Sequence, residues 1–153
     1  MSKNFFKDGI WQGSGLLQLS MFEEKLPLTA KFIVSLDHFD SEEIHFTAEY
    51  KVSGYSETLI NFYHLKEFYK KSFHCTFEND TWGIVDGIGF VERDYIGIEY
   101  RKNHAGFLGY ESFQFLDDGS FILSSEFVTN SELRSELTVT MSKKPALLSS
   151  WKD

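Results

Sequence analysis

Apolar and polar residues alternate with a period of two along most of the chain. Ile44, Phe46, Ala48, Tyr50 and Val52 alternate with His45, Thr47, Glu49 and Lys51, the signature of a strand buried on one face. Leu28, Ala30, Phe32, Val34 and Leu36 alternate in the same way with Thr29, Lys31 and Ser35, and Phe73, Cys75 and Phe77 continue the rhythm. Further strands are predicted over 95–101, 107–115, 121–128 and 133–141, each bounded by a polar turn cluster such as Asp37-His38-Phe39-Asp40-Ser41 or Asp117-Asp118-Gly119. The first strand runs from about Ile10 to Ser20 and puts Trp11, Gly13, Gly15, Leu17 and Leu19 on one side. Two glycines in phase inside a strand mark a sharp bend or a close backbone approach. Two stretches read in two ways. Residues 64–71 fit helical spacing through Leu65, Phe68 and Tyr69 and strand spacing through Leu65, Glu67 and Tyr69. Residues 82–90 fit one bent strand or two short ones around Asp86-Gly87.

Nine or ten short strands with hardly a helix predict an all-β, antiparallel up-and-down β-barrel of about ten strands, since closure removes the exposed edges of so large a sheet. A two-sheet sandwich is the main alternative. At 153 residues the chain suits one domain. Its core is expected over about 9–142, with a short N-terminal plug at 2–8 carrying Phe5 and Phe6, and a C-terminal tail at 143–153.

The opening Gly9-x-Trp11-x-Gly13-x-Gly15 resembles the first strand of the calycin barrels, which comprise the lipocalin, fatty-acid-binding and nitrobindin-like families. The resemblance implies a calycin-like barrel around a small ligand. Lipocalins cover the first-strand tryptophan with an arginine from the end of the barrel, and Arg134 is the candidate for that place. The connection after the first strand is too short for the two-helix lid of the fatty-acid-binding proteins. Nitrobindin-like barrels hold haem through a histidine in the C-terminal part of the chain. Here the last histidine is His104, so the resemblance does not extend to that haem site.

Composition narrows the function. Sixteen Phe, seven Tyr and three Trp have to be buried or to line something. A net charge of −8 argues against nucleic acid and anionic membranes as partners. One cysteine, Cys75, leaves no internal disulfide, and no apolar run is long enough for a membrane span. The N-terminal residues lack an apolar signal core, and the expected location is cytoplasmic.

Phosphate loops, zinc-protease motifs, Cys-x-x-Cys pairs and nucleophile elbows are absent from the sequence. The stretch 37–45, with His38 and His45 among acidic residues, matches no standard metal loop and reads as a solvated turn, so no metal ligand is expected. Glu111 shares one strand face with Phe107, Gly109, Phe113 and Phe115. A carboxylate there needs partners or is driven toward its neutral form. The opposite face carries Leu108 and Tyr110, so a solvent-facing Glu111 is equally compatible with the pattern. Tyr50, Ser125 and Cys75 also fall on apolar faces, and Cys75 reads as core.

The leading expectation is a barrel cavity that binds a small apolar or amphipathic molecule. Phe32, Phe46, Tyr50, Phe62, Glu111, Phe113, Ser125 and Phe127 would line it, with Trp11 beside them, and 64–71 would cover its mouth with Phe68 and Tyr69 turned inward. One alternative is an enzyme or chromophore-handling protein on the same barrel, as in the phycobilin lyases, using Glu111 as an interior acid. The other is a filled barrel with a structural or partner-binding role. The sequence names no cofactor and no oligomeric state.

Overall fold

The computed structural model describes residues 7–36, 43–101, 108–128 and 134–144. Ten strands occupy nearly all of them: β1 Gly9–Leu19, β2 Leu26–Leu36, β3 Ile44–Val52, β4 Thr58–Tyr69, β5 Ser72–Asn79, β6 Gly83–Glu92, β7 Tyr95–Tyr100, β8 Leu108–Phe115, β9 Phe121–Val128 and β10 Arg134–Lys143. Each pairs antiparallel with the next, and β1 closes on β10. The fold is therefore the all-β up-and-down barrel that the alternation predicts. Residues 2–6 of the plug expected at 2–8, residues 37–42, 102–107 and 129–133, and residues 145–153 of the tail expected at 143–153 lie outside the described residues. No helix among the described residues is long and apolar enough to cross a membrane.

The closure depends on the two glycines of β1. A Cβ at Gly13 would lie 1.9 Å from the backbone oxygen of Thr140, and one at Gly15 would lie 1.9 Å from that of Thr138. No side chain fits there, so β10 approaches β1 only because both positions are glycine. Trp11, one pleat earlier, is buried, donates its indole N–H to the Lys7 carbonyl at 3.2 Å and lies 5.1 Å from the Phe121 ring. Arg134 does not cover it. Trp11 pairs with Lys143 at the other end of β10, and Arg134 is exposed and bound to Glu126 at 2.6 Å.

Two ambiguous stretches resolve as strand. Residues 82–90 lie mostly in the single strand β6, and its ladder to β5 runs unbroken through Asp86 and Gly87. Residues 64–69 complete β4, with a bulge between Lys66 and Tyr69 and Glu67 in the left-handed region at φ 54°. The extra residue shifts the phase. Phe68 therefore turns toward the core and stacks on Phe73 at 5.0 Å, while Tyr69 points outward, contrary to the inward position expected for it.

Inside the barrel, aromatic rings touch from wall to wall. Phe32 stacks on Phe46, Phe46 on Tyr63 and Tyr63 on Phe77, and Phe77 meets Tyr100 edge-on, with centroids 4.4–5.6 Å apart. These side chains have almost no solvent contact. The interior that was expected to hold a cavity is filled along this line of rings.

Candidate functional site

The barrel interior has two unlike ends. Where β1 and β10 meet β9 and β8, Trp11, Phe32, Phe113 and Phe121 pack against one another as apolar rings. Toward the end where β8 begins, the same kind of packing surrounds a carboxylate.

Glu111 points inward and is 1% exposed. Three hydroxyls from three other strands donate to it. Tyr63 of β4 reaches both oxygens, at 2.9 and 3.0 Å, Tyr100 of β7 reaches Oε1 at 2.9 Å, and Ser125 of β9 reaches Oε2 at 2.7 Å. These donors include no cationic side chain. Burial raises the Glu111 carboxyl above the usual carboxylate range, and the hydrogen bonds from Ser125, Tyr63 and Tyr100 oppose that shift without cancelling it. Burial, reinforced by the nearby carboxylate, likewise holds the hydroxyls of Tyr50, Tyr63 and Tyr100 well above the usual phenol range. The phenols therefore remain protonated, and those of Tyr63 and Tyr100 donate to Glu111. A carboxylate offers about four acceptor positions, and each oxygen here receives two contacts, with the Tyr63 hydroxyl shared between them.

Glycines make room for this arrangement. A Cβ at Gly87 would lie 2.6 Å from the Tyr100 ring, so glycine in β6 lets Tyr100 lie across the wall with its hydroxyl toward Glu111. A Cβ at Gly109 would lie 2.3 Å from the Phe127 ring. Phe127, one pleat from Ser125 on β9, packs against Trp82, Phe77 and Tyr100. Ser125 keeps 8% exposure and Phe127 9%, against zero for Tyr100 and Phe32.

Seven of the eight expected lining residues face inward: Phe32, Phe46, Tyr50, Glu111, Phe113, Ser125 and Phe127. Phe62 does not. It is 53% exposed, because Tyr63 and Leu65 occupy the inner phase of β4. Cys75 is buried as core, with its thiol 3.8 Å from the Tyr100 hydroxyl and burial pushing its pKa up, away from thiolate. Sequence reasoning missed Tyr63 and Tyr100 as partners of Glu111. Their signal was present, since Tyr63 is in phase with Leu65 and Tyr100 with Ile96 and Ile98.

Among the described residues, concavities open on the surface at two places that none of the eight expected residues lines. One, of about 630 Å³, follows the β1–β2–β3 wall past Gly15, Leu28 and Val52. The other, of about 560 Å³, lies at the Trp11 end between Arg93, Phe115 and Lys143.

No protein-family model matches the chain, and none of the curated proteins matches it in sequence. Solved structures do share the barrel. Rv2717c from M. tuberculosis superimposes with a TM-score of 0.70 at 10% identity, over 90% of this chain and 92% of its own. The S-type phycobiliprotein lyase CPES from Guillardia theta superimposes with a TM-score of 0.69 at 10% identity, over 92% of this chain and 89% of its own. At that identity the likeness is one of architecture: the chain folds as a ten-stranded calycin-like barrel.

Proposed function

We propose that the barrel binds one small amphipathic molecule at the Glu111 end, taking its apolar body among the aromatics and its polar head on the carboxylate. The observation that carries this reading is the carboxylate buried among three hydroxyls. A barrel interior that serves only stability is better built from apolar side chains, because a desolvated charge costs several kcal/mol even when hydrogen-bonded. Strongly perturbed groups in such settings cluster at functional sites. A guest N–H or O–H could take over one of the two oxygens that the Tyr63 hydroxyl now shares, and an N–H of a conjugated or cationic guest gains most from a negative partner in a dry interior.

Entry requires movement, because the rings are in contact. Phe127 and Trp82 cover the cluster from the end where β8 begins, and outward rotation of Phe127 would open the path to Ser125 and Glu111. The cytoplasmic location expected from the sequence belongs to this reading. A chromophore-handling role is the second reading, favoured by the architecture shared with a phycobiliprotein lyase. In it Glu111, whose pKa is raised by burial, would protonate or orient the bound chromophore.

Native mass spectrometry of the protein, gently purified from its own cells, tests the binding reading. The expected spectrum carries a non-covalent adduct of one small molecule, lost on collisional activation and lost in Glu111→Leu. Bare protein as the sole species in both would favour the filled structural barrel.

A further inference from the structure

A second cluster lies on the outer face of the barrel, on the other side of the wall that carries Tyr63. His45 of β3 and His64 of β4 are directly opposite each other across the ladder. Their neighbours Ile44, Phe46, Tyr63 and Leu65 take the inner face, so both imidazoles stand outside. Directly opposed residues on one face hold their Cβ atoms only about 5 Å apart. The two rings are accordingly stacked, with centroids 4.1 Å apart and planes inclined by 17°. Glu43, two residues before His45, projects on the same face. Its Oε1 lies 2.5 Å from His64 Nε2 and 3.8 Å from His45 Nε2. All three ligand atoms fall within 4.8 Å of one another, and the residues are half-buried or exposed.

The geometry is poorly explained as an ordinary ion pair. One imidazole satisfies the carboxylate oxygen, yet the second presents its Nε2 to the same oxygen from beyond hydrogen-bond range. Three lone-pair donors gathered on one face within reach of one another are what a metal ion requires. Tetrahedral zinc, with bonds of about 2.0–2.2 Å, sets its ligand atoms about 3.3 Å apart. The two distances to Glu43 lie on either side of that value, and one imidazole has to swing out of the stack for both ring planes to contain the ion. Two imidazoles and a carboxylate form a donor set for borderline ions rather than for calcium or magnesium, and solvent access leaves a fourth position for water. The net charge of −8 favours a cation at any such site.

We propose that Glu43, His45 and His64 form a binding site for a divalent transition-metal ion of the zinc class, with one coordination position open to water. The stretch 37–45 does not match a metal loop because the third ligand comes from the next strand. The site is a property of strand register, not of local spacing. It is independent of the Glu111 cluster, so either proposal stands or falls without the other.

The test is calorimetric titration of zinc chloride into the tag-free, chelator-stripped full chain. One equivalent should bind saturably at micromolar concentration. His64→Gln, His45→Gln and Glu43→Gln should each weaken it by more than about tenfold, since even losing a residue behind a ligand costs 10–100-fold. His74→Gln should leave it unchanged. Circular dichroism of the metal-free variants checks that they fold, and long-range ¹H–¹⁵N spectra of the wild type should show the Nε2 signals of His45 and His64 shifting together. Absence of saturation up to millimolar zinc, or undiminished binding in the double variant His45→Gln/His64→Gln, would overturn the proposal.

Discussion

The two ends of the barrel interior are built from the same materials to different effect. At the Trp11 end, indole and phenyl rings meet one another, and the indole N–H is used up by the Lys7 carbonyl. At the Glu111 end an equally dense set of rings encloses a carboxylate held by Tyr63, Tyr100 and Ser125. The first arrangement gains stability from every buried atom. The second gives some of it up, since desolvating a carboxylate is only partly offset by three hydroxyl donors. A barrel that can be sealed by rings at one end has no structural need of a buried acid at the other. That difference is the reason for proposing the Glu111 end as the binding end.

Substitutions at the two ends should separate these roles. Trp11→Ala should produce the largest loss, about 3–5 kcal/mol in urea unfolding, the usual result of truncating a buried large aromatic. A loss below about 1 kcal/mol would show that the Trp11 end is not the stabilising one. Glu111→Leu should lose about 2–3 kcal/mol, because three buried hydroxyls are left without their acceptor. The fully apolar variant Glu111→Leu/Tyr63→Phe/Tyr100→Phe/Ser125→Ala removes acceptor and donors together and should recover wild-type stability or exceed it. If it remains as unstable as Glu111→Leu alone, the polar cluster is structural after all. Ser125→Ala should have the smallest effect of the set, about 1–1.5 kcal/mol, one hydrogen bond to a group that retains two others.

The pH dependence follows from the raised pKa of Glu111. A folded-state pKa above the unfolded value means that the folded protein holds the proton more tightly. The associated stability is complete below the ordinary carboxylate range and is lost as pH rises through the raised folded pKa. Within that window the slope reaches at most about 1.4 kcal/mol per pH unit for one proton. Stability measured by denaturant against pH should fall there in the wild type and lose that component in Glu111→Gln. Identical profiles would mean that Glu111 titrates as an exposed acid does.

Most of the barrel was legible in the sequence because period-two alternation is strong wherever one face is apolar and the other is not. The close approach of β1 and β10 was legible in Gly13 and Gly15. The site was only half legible. Glu111 could not be oriented because both faces of β8 carry large apolar residues. Outside, the Tyr110 hydroxyl bonds to that of Tyr95 and lies over Gly97, a second aromatic layer that mimics a core face. The sequence puts Phe62 inside only when β4 is broken at residue 64. Carrying the phase back from Leu65 puts Tyr63 inward and Phe62 out. The bulge at Glu67 breaks the phase once more, which is why 64–71 fits helical and strand spacing alike. The Glu43–His45–His64 cluster depends on cross-strand register, which alternation alone does not provide.

The central claim is that Glu111 is held ready for the polar head of a guest. The most direct test is fluorescence titration of the wild type and Glu111→Gln with two environment-sensitive apolar dyes, one bearing an N–H donor and one in which that group is methylated. The account predicts saturable one-to-one binding of the donor dye by the wild type, weakened about tenfold or more in Glu111→Gln, as expected when a charged hydrogen bond worth about 1.5–3 kcal/mol is lost. The methylated dye should bind both proteins alike. Failure of the wild type to bind the donor dye saturably, or equal binding by the two proteins, would contradict it.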